Sequence, residues 1–294
     1  MKPTRSVFRS TSASLIRGLS MALALTVLSA EHASAKGVHY VVYLLAGQSN
    51  MDGRAAVADL KGPLAPYAKP RPEILIGYSA GGLHRPLRES SGFEPLHPGC
   101  SGTPAKAGGP PPTNTFGPEL SFGPAIAAAL PGQKILLLKV SEGGTSLAVD
   151  WNPNDPQKLY ARFIHFVEAA QAKLKSDGDE VEIRGLIWMQ GESDETLPPG
   201  KYQALLTAFI AKVRTDLKMG ALPFVIGQVY DNGKRTAVIA DQKAVATTVP
   251  ATAFVDGTGL NTFDHGTHYD AASQIELGRR FAREVLKLSM SPRK

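Results

Sequence analysis

The chain has 294 residues, 43% of them hydrophobic and 20% charged, a balance that excludes an intrinsically disordered chain and suffices for one large folded domain. Net charge is +6, but half of that excess sits in the first 35 residues, where Lys2, Arg5, Arg9 and Arg17 face Glu31 alone; the remainder is too mild to indicate a nucleic-acid partner. One cysteine, Cys100, excludes an intrachain disulfide framework and any multi-cysteine zinc or iron–sulfur centre.

The N-terminal segment reads as an export signal. Four basic groups precede a short apolar stretch, Leu19 to Ala30, and the small-residue run Ala33-Ser34-Ala35 follows. Twelve residues in a helix span about 18 Å, short of the roughly 30 Å hydrocarbon core of a bilayer. The expectation is cleavage after Ala35 and a secreted or periplasmic mature chain of residues 36–294 with no membrane attachment. An uncleaved anchor is the alternative.

After the leader, Tyr40-Val-Val-Tyr-Leu-Leu45 is a continuous apolar run, as a strand buried on both faces requires. Runs of the same kind lie at Lys134–Val140, Arg184–Met189, Phe224–Val229 and Ala253–Val255. Helical periodicity covers residues 119–130, 156–175, 201–217, 234–247 and 270–288. In the last, Ile275, Leu277, Phe281, Val285, Leu286 and Leu288 form one broad apolar stripe. Alternating strands and helices predict a three-layer α/β/α sandwich around a five-stranded parallel sheet. Residues 53–118 break the rhythm with Pro- and Gly-rich connections and one possible short strand at Glu73–Tyr78; a loop this long is usually functional.

Ligands of open parallel sheets bind beyond the carboxyl ends of the strands. Four polar, glycine-bearing segments fall there: Gly47-Gln-Ser-Asn-Met51, Ser141-Glu-Gly-Gly-Thr-Ser146, Gln190-Gly-Glu-Ser-Asp194 and Asp264-His-Gly-Thr-His-Tyr-Asp270. A serine is a weak nucleophile without a base to take its proton, so Ser49 needs a histidine, and His268 is the candidate. The oxyanion of acyl transfer needs donors fixed beforehand, and the amides of Ser49 and Gly144 with the side chain of Gln190 are candidates. Asn50 and Trp151 are candidate substrate contacts, Trp151 as a stacking surface for a sugar. Alternatively, Trp151 belongs to the core, and Asp264, His265, His268 and Asp270 could ligate a metal. No P-loop, dinucleotide glycine fingerprint or H-E-x-x-H helix occurs, and the G-x-S-x-G elbow is absent at Ser49.

Gly-Gln-Ser-Asn-Met, Gly-Gly-Thr-Ser, Gln-Gly-Glu-Ser-Asp and the late histidine before an amphipathic helix resemble the SGNH hydrolases. The similarity is greatest to the sialate O-acetylesterase and acetylxylan-esterase group, carbohydrate esterase family six. Phe116-Gly-Pro-Glu-Leu-Ser-Phe-Gly123 and Gln274-Ile-Glu-Leu-Gly-Arg-Arg-Phe281 resemble that group too, so the likeness spans residues 40–285. It implies a flavodoxin-like SGNH fold and cofactor-free, metal-free hydrolysis of acetyl esters on carbohydrate. Ser49 is then nucleophile, His268 base, and Ser49, Gly144 and Gln190 the oxyanion hole. The group usually carries Asp three residues before its histidine; here that position is His265. Asp264, four residues before, and Glu192 both stand as the acid that orients His268. A catalytically silent carbohydrate-binding protein and an esterase for non-sugar acyl groups are the alternatives; oligomeric state is not legible.

Overall fold

The computed structural model describes residues 37–102, 112–264 and 266–290. The expected leader, part of the 53–118 connection and His265 lie outside the described residues.

In chain order the elements are β1 (His39–Gly47), α1 (Ser49–Asp52), β2 (Ala55–Ala56), β3 (Arg71–Ala80), β4 (Arg88–Glu89), β5 (Glu94–Leu96) and β6 (Thr115–Phe116). Then follow α2 (Glu119–Ala129), β7 (Lys134–Ser141), α3 (Leu159–Ser176), β8 (Glu180–Met189), α4 (Lys201–Asp216), β9 (Phe224–Gly227), α5 (Thr236–Thr248), β10 (Thr252–Val255) and α6 (Ala271–Met290). The main sheet runs β10-β9-β8-β1-β7-β3-β4, with β5 also paired to β3. Its strands from β10 to β3 are mutually parallel, whereas β4 and β5 pair antiparallel with β3.

The fold is therefore the expected α/β sandwich with one correction. The parallel sheet has six strands rather than five, because Arg71–Ala80 is a full strand in register with β7 from Ile74 to Ala80. Its proline, glycine and charged residues disguise it: Arg71-Pro-Glu opens at the exposed end, and Gly77 lies beneath Phe93, whose ring a Cβ there would approach to 3.2 Å.

The continuous apolar runs are strands for the reason the sequence suggests. Val41 to Ala46 of β1 is wholly solvent-inaccessible, between β7 and β8 and covered on both faces. On one face Tyr43 meets Phe122 of α2 edge-on at 5.5 Å, and Gly185 and Gly227 lie so close to Val285 and Phe281 of α6 that no side chain fits. On the other face Trp188 packs on Phe209 of α4, which also meets Tyr160 of α3. Among the described residues no helix is long and apolar enough to cross a membrane.

From β1 the chain passes outward to β3, returns to β7 beside β1, and crosses to β8 on the other flank. The carboxyl end of β1 is thus the switch point, where adjacent connections diverge and leave a crevice. Ser49 follows directly.

Candidate active site

The turn after β1 is set by close approach. A Cβ on Gly47 would lie 2.0 Å from the Met189 carbonyl oxygen, which also accepts the Gln48 amide at 2.9 Å. The chain is thereby folded against β8, and Ser49 opens the single helical turn α1 at the edge of a cleft of about 600 Å³.

Asn50 is fully buried and ties three segments together. Its Nδ2 donates to Glu192 Oε1 at 2.6 Å and to the Thr267 carbonyl at 2.9 Å, and its Oδ1 accepts the Tyr269 amide at 3.1 Å. The expected substrate contact at Asn50 is corrected: both ends of its amide are used in holding the histidine loop beside the serine turn.

That loop curls between Thr262 and Tyr269, which bridge one another, and the Phe263 amide donates to the His268 carbonyl at 3.1 Å. The curl makes a four-residue spacing sufficient. Asp264 Oδ2 lies 2.5 Å from His268 Nδ1, while its Oδ1 accepts the amides of Thr267 at 3.1 Å and His268 at 2.8 Å. Nδ1 therefore carries the proton and Nε2 is left as the basic nitrogen. Glu192, the other candidate acid, is bonded instead to Asn50, and its Oε2 is buried without a partner.

The electrostatics follow from burial and pairing. Burial pushes the His268 pKa below its ordinary 6.5, a shift that the Asp264 charge and hydrogen bond oppose and the Arg54 and Arg235 charges reinforce. Burial alone raises Asp264, but hydrogen bonds from the His268 amide and ring, with the ring's charge, outweigh it and hold the carboxyl below the usual range. Desolvation lifts Glu192 above it, only partly offset by Asn50.

Gln190 is also corrected. It is wholly buried, and its Nε2 faces the Thr145 carbonyl at 3.0 Å, Asp194 Oδ2 at 2.5 Å and Gln48 Oε1 at 3.2 Å. Two amide protons with three protein acceptors leave none for an oxyanion. Its task is support: Asp194 in turn accepts the amides of Leu147 and Ala148, fixing the segment that presents Gly144. Gly144 is exposed at the cleft with φ +79°, a conformation that favours glycine.

Trp151 is core. It is completely buried, donates to Thr145 Oγ1 at 3.1 Å and packs edge-on against Trp188 at 5.0 Å, so it has no face for a sugar. Among the described residues the large exposed aromatic is Phe263, directly before Asp264, which no pattern in the sequence marks. Its ring lies 20° from parallel to His268 with centroids 5.9 Å apart, on the cleft wall. Asp270 accepts the Ser273 amide at 2.8 Å and so caps α6.

Ser49 and His268 line the same cleft, and no hydrogen bond joins them among the described residues. Arg54, Arg85 and Arg235 line it as well. Arg54 Nη1 pairs with Asp52 at 2.5 Å while its Nη2 is buried without a partner. A Cβ on Gly143 would meet Arg54 Nη2 at 2.7 Å, Arg85 Nη1 at 3.0 Å and Ser49 Cβ at 3.1 Å, so two guanidinium tips gather beside the serine.

An α/β sandwich that brings a serine and a carboxylate-paired histidine to one cleft at its switch point has the layout of a serine-dependent ester hydrolase. More particularly, residues 39–287 match the family described as carbohydrate esterase, sialic acid-specific acetylesterase; the chain belongs to that family and is an ester hydrolase of the carbohydrate acetylesterase class. A probable carbohydrate esterase from Arabidopsis thaliana is 25% identical over 257 residues, covering 83% of this chain and 90% of that protein. The X-ray structure of an Arabidopsis thaliana protein shares the fold with a TM-score of 0.63 at 24% identity, over 84% of this chain and 97% of that one. A carbohydrate acetylesterase from Xanthomonas citri shares it with a TM-score of 0.56 at 20% identity, over 85% of this chain and 56% of that one.

Proposed function

We propose that the protein is an exported serine esterase that removes O-acetyl groups from carbohydrate, preferring acidic sugars of the sialate type over neutral acetylated xylan. The observation that carries the reading is the His268–Asp264 pair facing the cleft that Ser49 also lines. Export rests on the basic, apolar, small-residue order of the first 35 residues. The motifs quoted above support placement in carbohydrate esterase family six.

In this mechanism His268 Nε2 takes the proton of the Ser49 hydroxyl as its oxygen attacks the acetyl carbonyl. The imidazolium so formed is stabilised by Asp264, and the amides of Ser49 and Gly144 hold the oxyanion. As the tetrahedral intermediate collapses, His268 returns the proton to the departing sugar oxygen. Water, with His268 again as base, then releases acetate from the acetyl-enzyme. Phe263 offers the sugar an apolar face, and the guanidinium groups of Arg54 and Arg85 favour a carboxylate near the reacting ester. The spacing that motivated a catalytically silent binder no longer argues for one, because Asp264 reaches the histidine despite it.

The base must be neutral to act. As pH falls through the His268 pKa the ring gains a proton, so kcat/KM should fall with an acid midpoint below 6.5. A pH–rate profile on an aryl acetate checks this; a midpoint above 7 contradicts it.

Acetate release from O-acetylated sialic acid, acetylated xylan and longer acyl esters separates the readings. The acidic sugar should be the best substrate. Arg85→Gln should raise its KM by about ten- to a hundredfold, the worth of one charged hydrogen bond, with a smaller change for xylan. Equal effects on both would sink the acidic preference, and turnover of longer acyl esters alone would sink the carbohydrate reading.

A further inference from the structure

On the outer side of β3, the short strand β5 gives way to His97-Pro-Gly-Cys100, and three donor types converge there. The ligand atoms of Glu94, His97 and Cys100 all lie within 4.8 Å of one another. His97 Nε2 is 3.0 Å from Glu94 Oε1 and 4.0 Å from Cys100 Sγ. Two donor atoms bound tetrahedrally to one zinc ion stand roughly 3.3–3.7 Å apart, from metal–ligand bonds of about 2.0–2.3 Å. The observed separations bracket that value.

The tautomer of His97 adds an independent observation. Its Nδ1 lies 2.6 Å from the Pro98 carbonyl oxygen, which can only accept, so Nδ1 carries the proton. A lone pair on Nε2 would then face the Glu94 carboxylate across 3.0 Å, two acceptors in contact. That arrangement requires a cation between them: a second proton, making an imidazolium, or a metal ion. A histidine whose far nitrogen is anchored on a carbonyl is also the usual form of a metal ligand.

The backbone is already set. Gly99 adopts φ +102° against Thr113, and Arg88 Nη1 donates to the carbonyls of Gly99 and Ser101. The Cys100 thiol is buried and donates to the His97 carbonyl at 3.2 Å. Glu94 and His97 are half-buried, so the cluster reaches solvent on one side.

We propose that Glu94, His97 and Cys100 form a binding site for Zn²⁺, a structural clip outside the catalytic cleft. Carboxylate, imidazole and thiolate together suit zinc rather than calcium or magnesium. Binding replaces the Cys100 thiol proton and the proton held between His97 and Glu94; both pass to solvent and no electron moves. The clip has a route to the catalytic turn: two residues beyond Cys100, the Gly102 amide donates to Asp52 Oδ1 at 2.7 Å, and Asp52 ends α1.

The test uses the full purified protein, stripped with a chelator and titrated with Zn²⁺ and with Co²⁺ as a spectroscopic probe. One equivalent should bind, Co²⁺ should give thiolate-to-metal charge-transfer absorption, and Zn²⁺ should raise Tm. Cys100→Ser should abolish the charge-transfer band. Glu94→Gln and His97→Gln, at partly exposed positions, should each weaken zinc affinity by at least about tenfold while the metal-free variants keep the wild-type circular dichroism spectrum. Absence of stoichiometric binding to the wild type overturns the proposal. So does equal affinity in the wild type and the Glu94 and His97 variants, which would place the ion on other surface histidines.

Discussion

Asparagine at position 264 should lower kcat for an aryl acetate by about 10⁴-fold while KM changes little, the loss that follows when an amide replaces the carboxylate of a serine–histidine–aspartate set. The amide keeps a similar shape but neither stabilises the imidazolium nor holds the Nδ1–H tautomer. Glu192→Gln should cost less than about tenfold, because glutamine still accepts the Asn50 Nδ2 hydrogen bond and Glu192 does not touch the ring. The pH profile gives a second readout. Asp264 supports the protonated ring, so its removal should move the acid limb to still lower pH in the residual activity. If Glu192→Gln were the crippling change and Asp264→Asn mild, the two acids would exchange roles.

Lys139→Met should destabilise the fold by about 3–5 kcal/mol, the cost of leaving a buried charge without its partner. Lys139 and Glu119 are both inaccessible to solvent and pair at 2.9 Å. The same ammonium donates to the Asp52 carbonyl at 2.9 Å, at the end of the turn that starts with Ser49. Methionine fills similar space but leaves the Glu119 carboxylate retaining only the Gly117 amide at Oε1. Urea titration followed by circular dichroism should show a lower midpoint with an unchanged slope. Lys139→Met combined with Glu119→Gln should recover much of the loss, since the unpaired charge, not the cavity, dominates it. A loss as large in the double variant would place the cost in packing instead.

Much of this architecture is legible in the sequence because burial on two faces forces continuous apolar runs. Tyr40–Leu45 and Lys134–Val140 could scarcely be anything but central strands, and the stripe of α6 admits one face only. β3 is less legible because Pro72, Glu73 and Gly77 are tolerated only through its exposed start and its cover of β4, β5 and Phe93. At the site, the convergence of strand ends identifies Ser49, Gly144, Glu192 and His268 as cleft residues. Which groups touch substrate depends on tertiary partners that spacing does not reveal. Gln190 is spent on Asp194 and Thr145, Asn50 on the histidine loop, and Trp151 on Trp188 and Thr145. Phe263 is exposed on the cleft wall, a position that its residue type and neighbours in the sequence do not signal.

Ser49 as nucleophile has a rival in the same cleft, since Ser193 is exposed on its wall. Reaction with a fluorophosphonate followed by peptide mass mapping decides between them. One adduct should form per chain, on the peptide bearing Ser49, and its formation should slow sharply in His268→Ala. An adduct on Ser193, or labelling of Ser49 at an unchanged rate without the histidine, would contradict the account.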